Sequence, residues 1–182
     1  MIFETKQIVL KDGRTCTLRS VEKTDAADML EYLKAVSGET PFLARYADEV
    51  TYSVEAEEVI LESKKNDLRE FMMVAEVEGE LAGNCSLMSF GRLRRISHRC
   101  EFAIALKKAY WSQGIGSAMM QYAFELAREL KYEQMELEVV EGNIRAKSLY
   151  ERWGFQEMGK IYHAMKYDDG NYRDEYTMVK IL

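Results

Sequence analysis

The spacing of apolar positions changes several times along the chain, and each change marks an element. Over residues 16–20 apolar and polar residues alternate, the period of a half-buried strand. Met29, Leu30 and Leu33 then recur at helical spacing, which predicts a helix from an N-cap at Thr24 through Lys34, with Ser37-Gly38 as its end. Residues 39–52 follow neither period. They hold the single proline, Pro41, together with Phe42, Tyr46 and Tyr52, the composition of a binding loop or a packed lid. Ser53 is placed to cap a second helix reaching about Lys65, and its acidic start (Glu55, Glu57, Glu58) suits the positive end of a helix dipole.

Two β-rich runs, 71–77 and 81–90, flank Glu78-Gly79-Glu80, a hairpin signal. A further strand is expected over 97–106. From Gly114 to Leu130, Ile115, Met119, Tyr122, Leu126 and Leu130 form the buried stripe of a long helix. A strand over 135–140 follows, then a helix opened by Asn143 and stopped by Gly154, and then a hairpin, 155–165 with 175–182, turning near Asp168-Asp169-Gly170-Asn171. Only the strand, helix, strand unit around Gly114 demands parallel neighbours. The order therefore predicts a mixed α/β (α+β) fold and not a doubly wound one.

The segment Tyr110-Trp111-Ser112-Gln113-Gly114-Ile115-Gly116-Ser117 joins a strand end to that long helix. A glycine pair lets the backbone curl and leaves its N–H groups unobstructed, and the helix adds the positive end of its dipole, so a pyrophosphate is favoured there. Two familiar phosphate loops do not fit. The G-x-x-x-x-G-K-[ST] spacing is absent, and a dinucleotide fingerprint needs a small residue where this chain has Met119.

Composition narrows the classes. With 182 residues the chain fills one core comfortably, and a single domain over 1–182 is expected. No apolar run approaches the ~20 residues that span a bilayer, and the N-terminus lacks the order of a signal peptide, so a cytoplasmic protein without membrane partners is expected. Cys16, Cys85 and Cys100 form no close pair and sit in apolar contexts, the pattern of reduced core residues. His98 and His163 have no companions at ligand spacing, so no metal is expected. A net charge of −6 argues against nucleic-acid binding, and the local group Arg92, Arg94, Arg95 and Arg99 is read as a solvated loop and strand end.

Two blocks in this order, EFAIALKKAYWSQGIGSAMM (101–120) and NIRAKSLYERWGF (143–155), resemble the GNAT superfamily of acyl-CoA-dependent N-acyltransferases. The second is similar to the family's N-x-x-[AS]-x-x-L-Y-x-x-x-G-F signature through Asn143, Ala146, Leu149, Tyr150, Gly154 and Phe155. The likeness runs over nearly the whole chain. It implies a mostly antiparallel central sheet with helices on both faces. Acetyl-CoA would lie in a cleft where the strand ending near Leu106 splays from the parallel strand ending near Val140. N–H groups of Gln113, Gly114, Ile115, Gly116 and Ser117 would hold the pyrophosphate, with Trp111 and Ser112 beside them. The main chain of Ala103, Ile104, Ala105 and Leu106, with a bulge, would pair with the pantetheine arm. Asn143, with Ala146, would anchor that arm further along while also capping its helix. At Trp111 the chain departs from the pattern, because many members carry Arg or Gln there and indole offers one donor and no charge.

Acetyl transfer to an amine requires a neutral amine, a polarised thioester carbonyl and a proton for the departing thiolate. The resemblance implies Tyr150 as the acid, with a packed core tyrosine as the alternative. Glu101 is the candidate base, with a surface carboxylate paired to the nearby arginines as the alternative. A main-chain N–H near Ile104 would polarise the carbonyl. The chain's ending resembles members acting on polyamines, on free amino acids or analogues, and on protein N-termini, and Glu39, Asp48 and Glu49 lean toward a cationic acceptor. Family members often pair, so a homodimer is a further expectation. A different class of reading keeps the fold without catalysis, as an acyl-CoA-binding sensor or interaction module.

Overall fold

The alternation at residues 16–20 becomes strand β2 (Thr15–Ser20), which buries Cys16, Leu18 and Ser20. The computed structural model describes residues 1–182, with eight strands and four helices in a mixed, mostly antiparallel α/β fold containing one parallel pair. Two compact units are distinguished, Met1–Met88 with Ile104–Ala123, and Ser89–Ala103 with Phe124–Leu182. No helix is long and apolar enough to cross a membrane.

In the first unit β2 is preceded by β1 (Lys6–Val9), a strand the sequence pattern did not disclose. Its four residues alternate weakly and none is buried, so the apolar signal is missing. The strands β1, β2, β3 (Phe71–Val77) and β4 (Glu80–Ser89) pair antiparallel in that order. The β3–β4 turn has positive φ at Glu78 (52°) and Gly79 (84°), the conformation of a tight two-residue hairpin turn. Helix α1 (Ala26–Glu39) starts one residue later than an N-cap at Thr24 predicts, because Lys23–Asp25 forms a short 3-10 turn. The Asp25 carboxylate holds that turn by accepting the Glu22 N–H at 2.7 Å and pairing with Arg19. The helix also passes through its expected stop at Ser37-Gly38. Val36 and Ser37 are buried and Gly38 lies against Ala47, so packing carries the helix over its weakest residue. Helix α2 (Val54–Asn66) begins as expected, with Ser53 Oγ accepting the Ala56 N–H. Val21, Met29, Tyr32, Val36, Leu61, Val74 and Leu81 form the core beneath these elements.

In the second unit the first residues of β5 (Arg99–Leu106) pair in parallel with β6 (Gln134–Val140) over Arg99↔Gln134, Cys100↔Met135 and Glu101↔Glu136. Each strand then runs on beyond that ladder. Antiparallel pairs join β6 to β8 (Tyr172–Ile181) and β8 to β7 (Gln156–Lys166). The period of two divides this sheet cleanly. Cys100, Phe102, Met135, Leu137, Val139 and Met178 are buried on one face, whereas Arg99, Glu101, Glu136, Glu138 and Glu175 occupy the other. Aromatic contacts tie in the helices: Phe124 of α3 (Ile115–Glu129) meets Trp153 edge-on at 5.6 Å and lies 6.0 Å from Phe155. Helix α4 (Ile144–Arg152) is closed by Gly154 at φ +84°. All three cysteines are free and buried, as their contexts suggested, and burial pushes the Cys16 thiol up to about 11.

Candidate active site

The glycine loop is fastened within the first unit by side-chain bonds before it and by a main-chain bond at Gln113. Before it, Glu80 accepts from Lys107 Nζ at 2.7 Å and from the Tyr110 hydroxyl at 2.8 Å. The Trp111 indole donates to the Leu106 carbonyl at 2.8 Å, so its single N–H is committed to the main chain and not to a phosphate. The Gln113 carbonyl accepts the Lys11 N–H from the β1–β2 turn at 3.4 Å. Between these ties the backbone curls, with φ of +65° at Ser112 and +102° at Gly114. A Cβ at Gly114 would meet nothing within 4 Å. Glycine is therefore required by the torsion and not by crowding. Helix α3 follows at once. Its first-turn amides, on Ile115, Gly116 and Ser117, lack intrahelical acceptors and lie at the positive end of the dipole. This strand-to-helix concavity of main-chain N–H groups fits a diphosphate.

The last residues of β5 carry a feature that the sequence did not reveal. The Tyr32 hydroxyl accepts the Asn84 N–H at 3.1 Å and donates to the Ala105 carbonyl at 2.8 Å. A side chain from α1 thus stands in for a ladder bond between β4 and β5. Gly83 makes the close approach possible, since a Cβ there would lie 2.0 Å from Leu106 Cδ2 and 3.0 Å from the Ala105 oxygen. Burial raises the Tyr32 phenol, which stays protonated and able to donate. One sequence signal existed: a tyrosine on the core-facing stripe of an amphipathic helix needs a polar partner. Along this stretch Ala103 is exposed, while Ile104, Ala105 and Leu106 are half-buried.

In the second unit Glu101 is half-buried and makes no ion pair with the nearby arginines. Arg99 pairs with Glu136 instead, Nη2 to Oε2 at 2.8 Å with a second bond from Nε. Burial, followed by the charges of Glu138 and Glu136, lifts the Glu101 carboxyl above its ordinary range. Tyr150 is 6% exposed, packs edge-on against Phe155 at 5.9 Å, and is kept protonated by burial. Asn143 Oδ1 caps α4 by accepting the Ala146 N–H at 3.3 Å, which leaves its amide nitrogen for another partner. Two of the three loop carboxylates have main-chain duties within the first unit. Glu39 accepts the Lys108 N–H at 2.7 Å, and Glu49 accepts the Tyr46 N–H at 2.8 Å. Arg92, Arg94 and Arg95 are exposed.

Comparison with known proteins adds to this geometry. The acetyltransferase (GNAT) family pattern matches residues 33–155. An L-amino acid N-acetyltransferase of Escherichia coli (strain K12) is 30% identical over 112 residues, covering 60% of this chain and 67% of that protein. The crystal structure of a GNAT-family acetyltransferase from Streptococcus pneumoniae superposes with a TM-score of 0.86 at 27% identity, covering 92% of this chain and 99% of the other. A likeness of fold extends to yncA of Salmonella typhimurium, solved with its cofactor acetyl-CoA, with a TM-score of 0.79 at 18% identity over 92% of this chain and 94% of that one.

Proposed function

The chain belongs to the acetyltransferase (GNAT) family and is an acetyl-CoA-dependent acyltransferase, and from that premise we propose that it acetylates the primary amine of an amino acid or analogue by direct attack in a ternary complex. The observation that carries the chemistry is Glu101, a half-buried carboxylate with no cation of its own and a raised proton affinity. An alkylammonium, with a pKa of about 10.4, is mostly protonated near neutrality, so a base stronger than an ordinary carboxylate is useful. Glu101 removes one proton from the ammonium, directly or through water, and the nitrogen lone pair so freed forms the new bond to the thioester carbonyl carbon. The carbon–sulfur bond then breaks as Tyr150 gives its phenolic proton to the leaving sulfur, and the second proton shed by the nitrogen restores the phenol. A main-chain N–H near Ile104 steadies the charge on the carbonyl oxygen. The amides of residues 113–117 hold the diphosphate, the main chain of 103–106 aligns the pantetheine arm, and Asn143 anchors it.

The acceptor class rests on the 30% identical relative named for L-amino acids. The acidic loop speaks less for polyamines than its composition suggested, because Glu39 and Glu49 cap main-chain groups. Acetyl-CoA and a panel of L-amino acids, polyamines and short peptides, followed by thiol release, tests the proposal. Turnover confined to the amino acids and their analogues is expected. Acetyl-CoA binding without thiol release on any amine would replace this reading with that of a sensor.

A further inference from the structure

On the polar face of the second unit's sheet, the parallel register sets Glu101 directly across from Glu136, so both side chains leave the same face, with Glu138 one pleat further along. Arg99, two residues before Glu101, shares that face. Its guanidinium forks onto Glu136 through Nε and Nη2 and lies 4.6 Å over the Phe90 ring. Gln134 Nε2 gives Glu136 Oε1 a third bond at 2.9 Å. Glu136 is thus matched in charge, and Arg99 holds its carboxyl below the usual range. Glu138 is exposed and has no such partner.

We propose that Arg99 and Glu138 are opposed positioning residues for Glu101: Arg99, forked onto the carboxylate set across from Glu101, offsets that charge, while Glu138, on the same face and without a partner, leaves its negative charge beside the base. The inference rests on reading Glu101 as the base. The ionisable groups of this face and its edge come from three strands. From β5 these are Arg99 and, at the strand's entry, His98, which bears on Glu136. From β6 they are Glu136 and Glu138. From β8 comes Glu175, opposite Val140 and itself raised by burial and by Glu138. The ionisable residues of β4 are engaged elsewhere, Glu80 with Lys107 and Tyr110, and Cys85 in the core. A base for an ammonium must bind protons more strongly than a free carboxylate and yet be ionised at working pH. Burial and one unmatched neighbour supply the first property, and offsetting the charge of the second neighbour preserves the other.

The test is a carbon-13 NMR titration of the Glu101 carboxyl in wild type, Glu138→Gln and Arg99→Gln, assigned by Glu101→Gln, alongside kcat/KM against pH. Only the ionised base works, so kcat/KM rises as pH climbs through the Glu101 midpoint. Glu138→Gln is expected to lower that midpoint and Arg99→Gln to raise it, each by about half to one pH unit, with the acid limb of kcat/KM moving the same way. Arg99→Lys, which keeps the charge, should move it less. Glu138 is exposed, so its variant carries the test even if Arg99→Gln misfolds. Midpoints that stay put in folded variants, while Glu101→Gln loses turnover, overturn this inference and leave the base in place. Midpoints that move as expected, with Glu101→Gln turning over normally, keep the coupling and remove the base.

Discussion

At its N-terminal end β5 offers side chains, with Arg99 clamped to Glu136 and Glu101 left unpaired on a face of carboxylates. From Ile104 to the glycine loop the same chain offers its backbone: an Ala105 carbonyl held by Tyr32, a Leu106 carbonyl held by Trp111, and a curl of amides leading into α3. The difference matches the two tasks proposed for these stretches. Moving a proton needs a group whose affinity can be tuned, and neighbouring charges do that. Gripping a diphosphate needs several donors at fixed spacing, and a strained backbone supplies them with no side chain to reorder.

The sharpest way to break the comparison is at the groups that transfer protons. Tyr150→Phe should keep acetyl-CoA binding by calorimetry and lower kcat by roughly 10²–10⁴-fold. Burial keeps this phenol protonated, so the acid is available throughout the neutral range. An unchanged kcat would return Tyr150 to the aromatic cluster with Phe155 as a packing residue only. At the backbone end the expected pattern is reversed. Gly114→Val forces a β-branched residue toward φ +102°, a strain of about 1–3 kcal/mol. The loop should relax out of its curl and the Kd for acetyl-CoA should rise by roughly ten-fold or more. Unaltered affinity in a folded variant would mean that the amide cradle does not hold the diphosphate.

The same contrast explains what could be read in the sequence. Gly114, Asn143 and Gly154 were legible because their backbone conformations admit few residue types, a left-handed torsion at the two glycines and a cap at the asparagine. The Tyr32 bridge was not, since its partners lie 52 and 73 residues away and a hydroxyl's destination leaves no local trace. The Arg99–Glu136 pair was hidden in the same way, 37 residues apart, and without it the arginine beside Glu101 looked like Glu101's own partner. Strand β1 escaped for want of a buried residue, and α1 overran Ser37-Gly38 because tertiary packing outweighed local propensity.

Tyr32 allows a stability test of the backbone end. Tyr32→Phe leaves the ring in the core and deprives the Asn84 N–H and the Ala105 carbonyl of their shared partner. Denaturant unfolding should show a loss of about 1–3 kcal/mol, the cost of stranding buried main-chain groups. A loss near zero would mean that β4 and β5 close directly once the hydroxyl is gone.

The smallest effect expected separates the two duties assigned to Asn143. Its Oδ1 caps α4, and the proposed hold on the pantetheine arm falls to the amide nitrogen. Asn143→Ala removes both functions and should cost about 1 kcal/mol of stability, the usual value of an N-cap. Asn143→Ser keeps an oxygen for the Ala146 N–H, so the unfolding midpoint should stay close to that of the wild type. If the amide nitrogen does anchor the arm, the serine variant still binds acetyl-CoA several-fold more weakly, by the roughly 1 kcal/mol of one hydrogen bond. A serine variant equal to wild type in both measurements would confine Asn143 to the cap and leave the main chain of 103–106 as the arm's support.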